Sequence, residues 1–454
     1  MFKSVLLVQI FFVSIWAFFQ SNELETAKKD VNDMPMCSSM SLTGNNWGLS
    51  SNTTFPSTKT TQTTFDFDTA KAYTMPLLAQ TPKGDVLLSW TEKDDKGITS
   101  FCLAFSTDKG KTFSEKKTIY AGTGVSNSRL FRAKVLVKKD GSLVAVFSNR
   151  TDAPPPAATA QGQPQGQPQG GRSGRGGGGR GGGGRSAALV YCVSKDGGNT
   201  WTSPQSVDTD PTQGLMRGFF DAVVLPNDEI AVAYLKDVKN STKQEERDLR
   251  LAMTKNGVFQ AEKLLDPVVC DCCNINLLVD AQGAFHVYYR DNNDDIRDFA
   301  RMTSTDNGET FSKPQIVYND GWKIAGCPHN GAFSSTYGKS ALIAWYSGAE
   351  TETGIRLVTQ EGKKLFTLTD PSVKNASLMS TSKTSVMLWE QGSETTQLVF
   401  RKIDNDKVSE TKSIEGSANA TNSTGLMIDN QLLIAYEVKL ANKKTGLKIA
   451  TTVL

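Results

Sequence analysis

Ser304-Thr305-Asp306-Asn307-Gly308-Glu309-Thr310-Phe311 decides the fold, because the chain repeats it. The stretch returns as Ser106-Thr107-Asp108-Lys109-Gly110-Lys111-Thr112-Phe113 and as Ser194-Lys195-Asp196-Gly197-Gly198-Asn199-Thr200-Trp201. The shared pattern is Ser-x-Asp-x-Gly-x-Thr-aromatic, and each copy follows an apolar, β-prone run. Such a stretch is a hairpin turn. Asp and Thr bond their own backbone, Gly takes a positive φ at little cost, and the aromatic drops into the crevice between neighbouring sheets. Asp108, Asp196 and Asp306 are therefore structural residues of the turn.

Working outward, each turn closes a strand–turn–strand–loop–strand unit. The first unit reads Pro76-Leu77-Leu78-Ala79, then Val86-Leu87-Leu88-Ser89-Trp90, then 101–105. The order returns at 133–137, 143–147 and 188–193, then at 220–225, 230–235 and 249–253, where the turn has decayed to Thr254-Lys255-Asn256-Gly257-Val258-Phe259. It returns again at 274–279, 284–289 and 298–303, and three weaker copies centre on 341–346, 385–389 and 432–436. A four-stranded unit recurring roughly every 50 residues is the signature of an all-β β-propeller. The count favours seven blades over six. The last unit lacks a fourth strand of its own, and the alternating 63–68 segment is the expected strand that closes the ring and removes its free edges.

The 454 residues are 38% apolar, enough for a core of that size, and the formal charge is only +3. The insert at 153–186 alone contributes Arg172, Arg175, Arg180 and Arg185. The remaining body is not basic, which argues against a nucleic-acid-binding domain. That Pro/Gln/Gly/Arg-rich insert cannot bury a core and is expected to be disordered. It is either a tolerated loop or a polycationic arm for polyanions. Lys3 followed by the apolar 5–19 run reads as a signal peptide at 1–20, with a retained membrane anchor as the alternative. A polar lead-in at 21–60 precedes a propeller at 61–454. The protein is expected to be secreted or periplasmic, where disulfides are permitted.

Propeller geometry sorts the loops. The boxes follow third strands. The starts of first strands and the ends of second strands therefore share the opposite face, together with the insert. On that face the sequence places Arg129, Arg132, Lys134, Arg217, Asp221, Arg290, Asp291, Tyr346 and Glu350, with Cys270-Asp271-Cys272-Cys273 and Cys327-Pro328-His329-Asn330. Arg132, Arg217 and Arg290 form a candidate anion clamp, suited to carboxylate or sulfate through bidentate bonds. Asp271, His329 and Asn330 are further candidate ligand contacts. Cys270, Cys272, Cys273 and Cys327 read as disulfide candidates in an exported chain. A metal site with His329 is the lesser alternative, because the spacing matches no standard zinc pattern. His286 lies inside a strand and is structural. No Walker, dinucleotide or Gly-x-Ser-x-Gly motif stands out, so no nucleotide cofactor is expected.

The three boxes are the Asp-box, or BNR, motif. On them, and on Tyr289-Arg290-Asp291, Ile296-Arg297-Asp298 and Gly321-Trp322-Lys323-Ile324, the chain resembles the sialidase/neuraminidase superfamily, and within it exported bacterial sialidase-like proteins. The resemblance implies a glycan partner and an exo-glycosidase that removes a terminal acidic sugar. Family members hold the substrate carboxylate with three arginines, and use an Asp acid/base and a Tyr nucleophile assisted by Glu. By that likeness Asp221 and Asp291 are candidate acid/base carboxylates, and Tyr346 with Glu350 a candidate nucleophile pair. The family's first arginine stands in an Arg-Ile-Pro motif. Here the place reads Thr74-Met75-Pro76, which keeps the proline and not the arginine. A non-catalytic propeller that binds glycan or protein at the same mouth is the alternative.

Overall fold

The computed structural model describes residues 55–454, apart from 64, 66–67, 151–186, 211, 213, 242–245 and 327. The expected signal segment, the arginine-rich insert and Cys327 lie outside the described residues. Among those described, the chain is built of strands and one short 3-10 turn, and no helix is long and apolar enough to cross a membrane.

The strands form seven sheets, each entered at its inner strand and extended outward by antiparallel hairpins. The inner strands are Ala72–Gln80, Lys134–Val137, Arg217–Val224, Asn276–Val279, Phe333–Tyr337, Lys374–Ser380 and Ala420–Ile428. The architecture is a seven-bladed β-propeller. Inner and second strands are joined by repeated tight turns that place Gly84, Gly141 and Gly283 at φ of 88°, 84° and 84°. These values lie in the left-handed region that glycine enters most cheaply.

No single core fills the ring. Seven apolar wedges do, each shared by two neighbouring blades. The wedge of Trp90, Leu88, Ile449 and Leu433 joins the first blade to the last, and that of Leu342, Leu357, Met387 and Trp389 joins the fifth to the sixth. Second strands are buried on both faces, as in Ile230–Asp237 and Ser385–Gln391. They therefore read as continuous apolar runs rather than alternating ones. Burying each large side chain contributes roughly 1.5–3 kcal/mol, and the wedge between the last and first blades can form only when the ring closes.

Closure differs from expectation. The fourth strand of the last blade is Thr60–Thr63, paired antiparallel to Thr445–Val453 with Thr60 opposite Thr452 and Thr63 opposite Ile449. Just before it, Ser57–Thr58 runs parallel to Lys412–Ile414 in the sixth blade. The N-terminal segment is thus stitched into two blades. Phe65, which belonged to the expected 63–68 strand, instead packs edge-on to Trp90 at 5.1 Å. It fills the seam between first and last blades, a better place for an aromatic than the outer edge of a sheet.

The three boxes fold alike. Ser106 Oγ donates to Asp108 Oδ1 at 2.8 Å, Gly110 N–H donates to Ser106 Oγ at 2.8 Å, and Thr112 donates from both N–H and Oγ1 to Asp108 at 2.9 and 2.6 Å. The same set recurs around Asp196 and Asp306. A Cβ on Gly110 would meet Leu433 at 2.6 Å, and one on Gly308 would meet Met253 at 2.4 Å. Each of those two turns therefore presses on the blade before it. In the decayed copy Glu229, from a neighbouring turn, replaces the missing Asp and accepts from Thr254 Oγ1 and Asn256 N–H.

Candidate functional site at the channel mouth

Four inner strands bulge at equivalent places, in the first, third, sixth and seventh blades. The first bulge residue is left-handed in each: Met75 (φ 58°), Phe219 (53°), Asn375 (48°) and Asn422 (50°). A bulge leaves its extra residue out of the ladder, so the freed N–H needs another acceptor. Second-strand carboxylates supply it across two blade seams. Glu390 Oε1 accepts from Asn422 N–H at 2.6 Å, and Glu437 Oε1 accepts from Met75 N–H at 2.7 Å. The second oxygens are filled by Asn375 Nδ2 on Glu390 at 2.9 Å and Asn422 Nδ2 on Glu437 at 3.1 Å.

Two arginines from the second blade face these acids. The 3-10 turn Arg129–Phe131 is capped by Ser128, whose hydroxyl accepts Leu130 N–H. The Arg129 guanidinium donates to Asn375 Oδ1. Arg132 follows directly and makes no hydrogen bond to the described protein, although its Nε is buried. Burial and then the neighbouring Arg129 charge lower the Arg132 guanidinium to about 10, while Glu437 and Glu390 act in the opposite sense. Burial raises both Glu390 and Glu437 above the usual carboxylate range, against the amide hydrogen bonds that favour their charged forms. Every oxygen of the two carboxylates is engaged by an amide. They therefore hold the arginine pair electrostatically rather than offering a proton.

The expected three-arginine clamp is not assembled. Arg132 is at the channel. Arg217 is 6% exposed and is tied to Asp208 and to the carbonyls of Leu215, Asp210 and Thr212. Arg290 is 1% exposed. It donates to the carbonyls of Arg297 at 2.6 Å and Tyr346 at 2.8 Å, and packs on Phe299 and Trp322. Both guanidiniums are committed to scaffold acceptors, the partners that a buried charge needs.

Asp221 is buried and bridges three blades, pairing with Lys134 and accepting Leu277 N–H at 2.8 Å. Asp291 caps its own loop through Asn292 N–H and Asn293 Nδ2. Asp271 is bound by Arg247. Tyr346 stands edge-on to Trp322 at 5.7 Å. Burial raises its hydroxyl pKa, against Arg290 and Arg356. The hydroxyl makes no hydrogen bond among the described residues, and exposed Glu350 does not pair with it. His329 takes a left-handed φ of 51°, and Asn330 Nδ2 donates to Pro328 O. His286 is structural, with its ring between Asp280 and Thr303 at 3.0 and 2.9 Å.

The cysteines depart from the disulfide expectation. Cys270, Cys272 and Cys273 are buried, as are Cys102 and Cys192. Among the described residues there is no disulfide. The Cys270–Cys273 sulfurs are 3.6 Å apart, and all three sulfurs of the group lie within 4.8 Å of one another. Burial opposes the Cys273 thiolate. Hydrogen bonds from Cys270 and Cys272, the Arg290 charge and the Asn330 N–H outweigh it, and hold Cys273 well below the ordinary thiol range.

Glu390 and Glu437 escaped the sequence reading because the sixth and seventh units carry no box to fix their register. The signal was nonetheless present. An aromatic followed by Glu lies near the end of both second strands, as Trp389-Glu390 and Tyr436-Glu437.

No protein-family model matches the chain, and no curated protein sequence does. Solved structures do. A protein of unknown function from Dyadobacter fermentans superposes with a TM-score of 0.50 at 11% identity, over 87% of this chain and 98% of that one. An ulvan lyase of polysaccharide lyase family PL25 gives 0.50 at 11%, over 84% and 93%. The intramolecular trans-sialidase of Ruminococcus gnavus gives 0.45 at 11%, over 84% and 94%. At such identities the likeness is one of fold alone, an all-β β-propeller.

Proposed function

We propose that the protein is an exported, glycan-acting propeller whose channel mouth grips a terminal acidic sugar. One observation carries the reading. Among the described residues Arg132 has no hydrogen-bond partner, yet it stands beside Arg129 and within the fields of Glu390 and Glu437. A guanidinium left open beside two carboxylates suits a carboxylate or sulfate of the ligand, which it can meet with two parallel bonds. The finer reading is exo-hydrolysis, with the Tyr346 hydroxyl, unbonded among the described residues, as the group available to attack. Glycoside hydrolysis commonly needs two groups flanking the bond. Purified protein should release sugar from one class among sialosides, uronides and sulfated glycans, and Arg132→Met should abolish both release and binding without unfolding the protein. Silence across the panel, with no saturable binding, would sink the proposal.

Binding without turnover is the second reading. It is favoured by the commitment of Asp221, Arg217 and Arg290 to the scaffold. It predicts saturable binding of an acidic glycan, no product, and no loss when Tyr346 becomes Phe. The 153–186 segment enters this proposal as a polyanion-gripping arm. Its flanks Arg150 and Ala187 are sheet partners in the second blade, at the end of the blade that faces the mouth. Deleting 153–186 should then flatten the salt dependence of binding. Export through a cleaved signal is checked by sequencing the mature N-terminus. A retained segment would place the protein at a membrane.

A further inference from the structure

We propose that Cys270, Cys272 and Cys273 form a binding site for a thiophilic closed-shell metal cation, with trigonal Cu+ fitting better than Zn2+. The three sulfurs lie within 4.8 Å of one another, and the closest pair is 3.6 Å apart. Sulfurs sharing one metal at Zn–S distances of about 2.3 Å sit a little under 4 Å from one another, so little movement is needed. Soft thiolates select Cu+ and Zn2+ over harder ions. Among the described residues no fourth His, Cys, Asp or Glu joins the group. Structural zinc almost always takes four ligands, whereas three thiolates complete a trigonal Cu+ site.

The surroundings suit an anionic metal–thiolate centre. Arg290 lies close enough to Cys270 and Cys273 for its charge to act on both, and Arg297 stands beside Cys270. Among the described residues, Nε of each arginine is buried without a hydrogen-bond partner. The loop is also held in place before any metal arrives. Cys270 N–H donates to Arg290 O at 3.1 Å, Arg247 donates to Asp271 O, and Ile275 N–H donates to Phe219 O at 3.1 Å. Cys102 and Cys192 are buried too, but each stands alone in a different blade, so they serve as internal controls. Binding replaces the remaining thiol protons with the metal and releases them to solvent.

The test uses the full chain, purified under reducing conditions. It is titrated with Cu+ in competition with a chromogenic Cu+ chelator, and separately with Zn2+ in competition with a zinc indicator. One equivalent of Cu+ should bind, with a thiolate-to-copper absorption band in the near ultraviolet. Cys272→Ser and Cys273→Ser should each weaken binding at least tenfold, while Cys102→Ser should leave it unchanged. Stoichiometric, cysteine-dependent Zn2+ binding without Cu+ binding would support the three-sulfur site and overturn its assignment to copper. Failure of both ions to bind, or binding that survives Cys272→Ser and Cys273→Ser in variants with a native melting temperature, overturns the site. So does a disulfide among the three cysteines in the freshly purified protein, detected by thiol counting after denaturation.

Discussion

The carboxylate of Glu437 accepts the backbone N–H of Met75 at 2.7 Å, across the seam where the last blade meets the first. Glu390 does the same for Asn422 one blade earlier, at 2.6 Å. Each bulge frees an amide that the sheet cannot use, and each acid from the preceding blade takes it. The latch therefore helps to close the ring and at the same time fixes the negative charges that face Arg132.

Glu437→Ala should strand the Met75 N–H in a buried seam. Leaving a buried donor unsatisfied costs about 1–3 kcal/mol. The expected outcome is a lower denaturation midpoint with an unchanged slope. Glu437→Gln, which keeps an acceptor for Met75, should recover most of the loss. Equal stability of the Ala and Gln variants would mean that the latch contributes nothing.

Arg290 is expected to behave as a strut. It donates to two carbonyls from different parts of the ring, at 2.6 and 2.8 Å, and lies between Phe299 and Trp322. Hydrogen bonds from charged groups contribute about 1.5–3 kcal/mol, so Arg290→Ala should cost at least about 3 kcal/mol. Arg290→Lys should recover little of it, because an ammonium lacks the planar fork. Urea denaturation decides this. A variant as stable as wild type would return Arg290 to the list of ligand contacts.

Acid should loosen the box turns. The Thr112 hydroxyl and N–H hold Asp108 down to about 2, and the Thr200 N–H and hydroxyl hold Asp196 down to about 2. Thr310 lowers Asp306 in the same way. A carboxylate lowered by folding contributes stability that is present above its unfolded value of 3.8 and is lost as pH falls toward the folded value. These turns are exposed, so solvent screening keeps each contribution small. Glu390 and Glu437 have the opposite sign, since their raised values favour the folded protein as they become protonated. Between about pH 4 and pH 2 the melting temperature of wild type should fall more steeply than that of the triple variant Asp108→Asn, Asp196→Asn, Asp306→Asn. Parallel curves would remove the turns from the account of acid stability.

The fold was legible in the chain because the boxes are local. Ser304, Asp306, Gly308 and Thr310 bond one another within a single turn, so their spacing is written in consecutive residues. The site was less legible because it is made by closure. Arg132, Glu390 and Glu437 come from the second, sixth and seventh blades, and no local pattern relates them. Arg217, Arg290 and Asp221 were attractive candidates on residue type and on their place at strand ends. Polar groups at blade seams serve two purposes, and only their partners separate a strut from a ligand contact. The closing strand fell at Thr60–Thr63 rather than 63–68 because the alternation seen at 63–68 places Phe65 in an aromatic seam, a demand that period-two patterning does not distinguish from a strand.

Gly218 connects the scaffold to the mouth and supports one more prediction. A Cβ at Gly218 would lie 2.0 Å from the Phe131 ring, which packs on Phe219 with centroids 5.2 Å apart. Phe131 belongs to the short turn that carries Arg129 and leads directly into Arg132. Gly218→Ala must therefore push Phe131 outward and swing both guanidiniums away from Asn375, Glu390 and Glu437. Misplacing a binding group by about 1 Å can cost on the order of a hundredfold, whereas overpacking of this kind costs about 1–3 kcal/mol of stability. Affinity for an acidic glycan should fall much further than the melting temperature implies. Phe131→Leu in the same chain makes room for the new methyl and should restore part of the affinity. If Gly218→Ala binds as wild type does, the arginine pair is not the grip, and the ligand must be held elsewhere on the ring.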